Sequence, residues 1–145
     1  MKRAQRLRPL HELADQNERQ CALRLADCQQ RIAAGDQRYQ ELVRYRLEYQ
    51  QLFHARASSG APMRGLREQQ VFIARLAEAV RAQRALVDQL RAESAQLQEE
   101  WRSAATRRQA VGKVIEHARA EEIMKQEKRQ QRELDELATQ ARVRR

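Results

Sequence analysis

Small and apolar residues recur at alternating steps of four and three on both sides of a single interruption, Ala57-Ser58-Ser59-Gly60-Ala61-Pro62-Met63-Arg64-Gly65. The first arm carries Leu7, His11, Ala14, Glu18, Cys21, Leu25, Cys28, Ile32, Gly35, Tyr39, Leu42, Arg46, Tyr49 and Phe53, weakened only at Glu18, Gly35 and Arg46. The second carries Leu66, Gln69, Ile73, Leu76, Val80, Gln83, Val87, Leu90, Ser94, Leu97, Trp101, Ala104, Arg108, Val111, Ile115 and Ala118. A seven-residue repeat holds one helical face against one partner over many turns, so the pattern predicts left-handed coiled-coil packing. The expected fold is all-α: a long antiparallel two-helix hairpin forming one domain over residues 1–145, with a C-terminal helical extension.

Composition agrees with this reading. Of the 145 residues, 34% are charged and 4% aromatic, with four Gly and two Pro. Ala, Leu, Glu, Gln and Arg dominate, the residues that lose least on entering a helix. Disorder would suit the charge but would leave the apolar positions without spacing.

The first helix is expected over about residues 6–56, roughly 75 Å at 1.5 Å per residue. Pro9 then falls in its first turn, where a missing N–H costs nothing, with Glu12 and Asp15 near the positive helix end. The turn spans 57–65, and the second helix about 66–141, with Gly65 as N-cap and Glu68 reaching back toward it. Helices joined by a short turn run antiparallel. Residues whose numbers add to about 122 then share a height: Tyr49 with Ile73, Leu42 with Val80, Gly35 with Val87, Cys21 with Trp101. After Ala118 the repeat slips to Ile123, Gln130, Leu134, Leu137 and Ala141.

The arms are unequal, leaving about 25 residues, roughly 40 Å of helix, beyond the first arm's start. Arg119, Lys125, Lys128, Arg129, Arg132, Arg142, Arg144 and Arg145 stand there among Glu121, Glu122, Glu127, Glu133, Asp135 and Glu136, with Lys2, Arg3, Arg6 and Arg8 beside the root. Two readings fit: a solvated helix held by i,i+4 pairs such as Glu121 with Lys125, or a basic end shaped to enter a partner.

The formal charge of +9 favours an acidic partner, whether nucleic acid, an anionic membrane surface or an acidic protein face. The basic stretches are interrupted by acids throughout, unlike the dense in-line basic region of a zipper-type DNA reader, so no specific nucleic acid is expected. There is no run of 18 apolar residues and no signal-peptide core after Met1-Lys2-Arg3, so the chain is expected to be cytosolic. Cys21 and Cys28, about 10 Å apart along one helix, are too distant for an intrahelical disulfide and read as small buried thiols rather than redox or metal groups.

No Gly-rich phosphate loop, His-Glu-x-x-His or Cys-x-x-Cys occurs, and His11, His54 and His117 are scattered. A two-helix rod encloses no substrate. We therefore expect no catalytic residue, no cofactor and no metal. Function must lie on an outer surface. Tyr45, Tyr49, Phe53 and Phe72 gather near the turn, with Tyr45 and Phe72 one position off the seam, too many for so thin a body to bury. Clustered exposed aromatics anchor protein partners, and self-association is the rival use.

The stretches "LRPLHELA" (Leu7 to Ala14), "YRLEY" (Tyr45 to Tyr49) and "QQVFIARLAEAV" (Gln69 to Val80), with Trp101 in "EEWR", resemble the FliJ family, the stalk-like soluble component of the flagellar type III export ATPase complex. The resemblance runs over essentially the whole chain. It implies a non-enzymatic coupler between the hexameric export ATPase FliI and the export-gate membrane protein FlhA that also binds export chaperones and sits at the inner face of the cell membrane. It places the gate surface on Arg38, Leu42, Tyr45, Tyr49, Phe72, Leu76, Ala79 and Gln83. It puts the ATPase contact at the paired termini, where Arg3, Arg6, Arg8, Arg119, Arg129 and Arg132 are the candidates. The alternatives are a coiled-coil adaptor or chaperone of another secretion assembly, such as a virulence-type system, or a weak nonspecific nucleic-acid binder.

Overall fold

Long helices need an uninterrupted supply of good helix formers and one clean stop, and this chain has both. The computed structural model describes residues 2–144; Met1 and Arg145 lie outside the described residues. It contains two helices, α1 (Arg3–Ser58) and α2 (Met63–Val143). α1 ends where Gly60 takes a positive φ of 80°, a conformation open to glycine at little cost. The Ala61 N–H donates to the Arg56 carbonyl at 3.1 Å and the Gly60 N–H to the Ala57 carbonyl at 3.4 Å. These are the paired bonds of a Schellman stop. Pro62 follows and cannot extend α1, and its carbonyl accepts the Leu66 N–H to open α2 at 3.3 Å.

Three local expectations are corrected. α1 begins at Arg3, with Gln5 and Arg6 N–H groups donating to the Lys2 carbonyl, so Pro9 lies past the first turn. Its ring is solvent-exposed. Glu12 and Asp15 accordingly serve as partners of Arg8 and Arg19, each four residues away, rather than as charges on the first turn. Gly65 is the third residue of α2, not its N-cap.

The helices form two compact units, Met1–Cys21 with Glu100–Arg145, and Ala22–Glu99. In the second, the turn unit, Cys28, Leu42, Val80 and Val87 are buried. The Cys28 thiol donates to the Leu90 carbonyl at 3.4 Å, and Gln83 Nε2 donates to the Gly35 carbonyl at 3.0 Å. A Cβ built on Gly35 would meet Val87 Cγ2 at 3.2 Å. These contacts run antiparallel in the expected register, to within a helical turn.

In the first, the terminal unit, Ala4, Ile115 and Ala118 form a buried cluster with Leu7 and Val111 packed against it. Glu18 and Arg108 make an ion pair between the helices, and the Ala4 N–H approaches Glu122 Oε1 at 3.5 Å. The slipped repeat beyond Ala118 finds no partner: Ile123, Gln130, Leu134, Leu137 and Ala141 are exposed, as is every described residue from 123 onward. Glu121 pairs back to His117 at 3.1 Å, not forward to Lys125.

Candidate interaction surfaces

The turn unit carries the aromatic residues that the seam cannot absorb. Leu42, 9% exposed, faces inward. Tyr45, three residues on, is one step around the helix and stands 51% exposed. Across the pair, Phe72 is 41% exposed and meets the half-buried Tyr49 edge to face, with ring centroids 4.7 Å apart and planes at 65°. Such aromatic pairs contribute about 0.5–1.5 kcal/mol beyond the area they cover. This contact holds Phe72 beside the seam and leaves part of its ring to solvent.

The other residues assigned to this surface differ in their availability. Leu76 and Ala79 are half-buried, and Arg38 is exposed but paired locally with Glu41 at 3.4 Å. Gln83 is half-buried and spends its amide on Gly35. Tyr45 and Phe72 are the most exposed large apolar side chains of the set.

In the terminal unit Arg3, Arg6, Arg8, Arg119, Arg129 and Arg132 are all exposed. Arg8 and Arg119 are brought to one shallow cleft with His11, Glu12, Ile115 and Glu116. Arg129 and Arg132 lie farther along α2, where Arg132 neighbours Asp135 and Glu136. The six arginines are thus a dispersed basic surface rather than one focused site.

A second apolar surface in the terminal unit went unread in the sequence. Leu10, Leu13 and Ala14 line a groove with Asn17, Gln20, Arg107 and Val111. Its signal was present, because Leu10 and Leu13 lie off the seam and have no core to enter.

Among the described residues no group of three His, Cys, Asp or Glu is gathered closely enough to hold a metal ion. Cys21 and Cys28 are buried free thiols. Among the described residues no helix is long and apolar enough to cross a membrane.

Paired helices that keep only small residues and a few valines, leucines and isoleucines inside, and aromatic and basic side chains outside, define a coiled-coil protein that works by its surfaces. The chain matches the flagellar FliJ protein family over residues 1–145 and belongs to that family. It is accordingly a non-enzymatic component of the flagellar export apparatus and interacts with other components of it. No curated protein and no solved structure matches the chain.

Proposed function

We propose that the chain couples the export ATPase FliI to the export gate FlhA, with the turn unit docking on the gate and the terminal unit entering the ATPase ring. The observation that carries this reading is the exposure of Tyr45, beside the buried Leu42, and of Phe72, which is held against the ring of Tyr49. Aromatic surface held rigid by a neighbouring ring loses little entropy when a partner covers it, which is how interface anchors gain affinity.

The terminal unit supports the ATPase half of the proposal. α2 continues as a helix with all its described side chains exposed from 123 to 144, and a narrow basic helix fits a ring's central opening where a broad head does not. The chain performs no hydrolysis in this scheme. It acts in the cytoplasm at the inner membrane face, stimulates or organises the ring, and assists cycling of export chaperones.

Titrating purified ATPase with this protein tests the first contact. Rising hydrolysis or a shift to hexamers is expected, and an unchanged rate and oligomer size across a wide ratio would overturn it. Replacing Tyr45 and Phe72 together by Ala tests the second: binding to the gate's cytosolic portion should fall about 100-fold or more, as for two interface anchors, with the helical signal intact. Full binding by the folded double variant would remove that surface from the proposal.

A further inference from the structure

The tip of the turn unit is free of carboxylates. From Leu52 to Arg67 there is no Asp or Glu, but there are three arginines, Arg56, Arg64 and Arg67, together with His54. All four side chains are exposed. Some cations elsewhere find a carboxylate three or four residues away, as with Arg8 and Glu12, Arg19 and Asp15, Arg31 and Asp27, and Arg38 and Glu41, while others, such as Arg24 and Arg84, do not. Arg56, Arg64 and Arg67 make no ion pair among the described residues. Set among them are Met63, 74% exposed, and Leu52, 49% exposed.

We infer that this tip, Leu52 to Arg67, is a contact site for an anionic phospholipid surface, with Met63 and Leu52 entering the headgroup boundary and Arg56, Arg64 and Arg67 pairing with lipid phosphates. Unpaired cations around protruding apolar side chains are the combination that binds interfaces, where apolar burial and attraction to anionic lipid add. Shape selects the lipid surface over a protein groove. Residues Ser59 to Pro62 close the chain between two helix ends, so a partner at the tip meets a short loop and the two helix ends. A flat, deformable interface covers such a point from all sides. Specific duplex readout would require a helix lying in a groove, whereas here the helix ends meet the partner.

Interfacial anchoring by so few groups is weak and salt-sensitive, which suits a contact that orients the chain while a protein partner holds it. The site adjoins the Phe72 surface, since Arg67 and Phe72 line one shallow depression, but it uses different side chains, so either can fail without the other.

The test is flotation of the full chain with vesicles of phosphatidylcholine alone or containing about one-third phosphatidylglycerol, which gives the surface a negative potential. Binding to the anionic vesicles should exceed that to neutral ones by roughly tenfold at low salt and disappear at high salt. The Arg56→Gln/Arg64→Gln/Arg67→Gln variant should lose at least about tenfold, and Met63→Asp should lose binding with unchanged helicity. Tyr45→Ala/Phe72→Ala should float like the parent. Equal flotation by the triple-Gln variant would overturn the inference. So would an equal loss in Arg129→Gln/Arg132→Gln, which would reveal general charge attraction. Loss of gate-domain or duplex DNA binding by the triple-Gln variant, with no flotation of the parent, would assign the tip to a protein or nucleic-acid partner instead.

Discussion

The side-chain amide of Gln83 on α2 donates to the backbone carbonyl of Gly35 on α1 at 3.0 Å, so a polar seam residue is satisfied at the very point where the opposing helix has no side chain. The bond can form because Gly35 lets the helices close up. It also ties down one residue that the family resemblance assigns to gate binding, and it makes Gln83 a register-holding contact within the turn unit.

Gly35→Ala should therefore destabilise the protein despite improving helix propensity. The new methyl would sit 3.2 Å from Val87 Cγ2 and 3.5 Å from Gln83 Nε2. Valine is confined to one rotamer in a helix and cannot step aside. Overpacking costs about 1–3 kcal/mol, against about 1 kcal/mol gained from replacing glycine in a helix. A net loss of about 1 kcal/mol is expected in urea melts. Adding Val87→Ala should cost less in this background than in the parent, since it vacates the contested space. An unaltered melt for Gly35→Ala would show that the helices part freely here.

A second polar break in the seam is answered in the terminal unit by the Glu18 and Arg108 pair, whose side chains are 17% and 37% exposed. Arg108→Ala leaves the better-buried carboxylate without its partner, and we expect a loss of about 1–3 kcal/mol. The reversed pair, Glu18→Arg with Arg108→Glu, should recover part of it. Additive losses in the double variant, measured by thermal or urea unfolding, would mean the two groups are uncoupled.

These two pairs show where the sequence was legible. Every seam position from Leu7 to Phe53 and from Leu66 to Ala118 is buried or half-buried, because seven-residue spacing is a property of one helix and needs no knowledge of its partner. What the spacing could not reveal is how Glu18, Gly35 and Gln83 are accommodated, since each depends on the residue opposite. The helix starts were misplaced for a similar reason. Pro9 reads as a first-turn residue, yet an exposed proline interrupts only a solvent-facing bond. Beyond Ala118 the repeat slips and the unequal arms leave no second helix to cover it, so the described residues from 123 onward face water.

Leu42 and Tyr45 separate folding from binding. Leu42 is inside and Tyr45 largely outside. Leu42→Ala should cost about 2–4 kcal/mol, as for a buried leucine, and any binding defect should track the loss of folded protein. Tyr45→Ala should leave the melt within about 0.5 kcal/mol of the parent while weakening gate binding. If Tyr45→Ala melts as early as Leu42→Ala, the ring is structural and the assignment fails.

Stability should fall at alkaline pH through Cys28. Burial pushes this thiol up from its ordinary value; the negative charges of Glu93 and Asp27 reinforce the shift and Arg31 opposes it. The folded chain thus keeps the proton where the unfolded chain has begun to lose it. Stability is full below the ordinary thiol value and declines as pH rises from there through the shifted one. Cys28→Ala should remove that share of the alkaline decline, and alkylation of native Cys28 should be much slower than in urea. Rapid native alkylation would contradict the burial on which this rests.

Truncation after Glu122 tests whether the rest of α2 belongs to the fold or to a partner. Residues 123–144 expose all their side chains, and no apolar surface of the terminal unit depends on them. The segment is helical because it continues a helix already nucleated, so each added residue gains a backbone bond without a new nucleation cost. Removing it should lower the helical signal in proportion to its length yet shift unfolding free energy by less than about 0.5 kcal/mol. If this segment serves the ATPase ring, stimulation of hydrolysis should be lost while binding to the gate domain is kept. A large drop in stability would instead mean that these residues pack against the chain, and their exposed leucines would then have a partner within the protein itself.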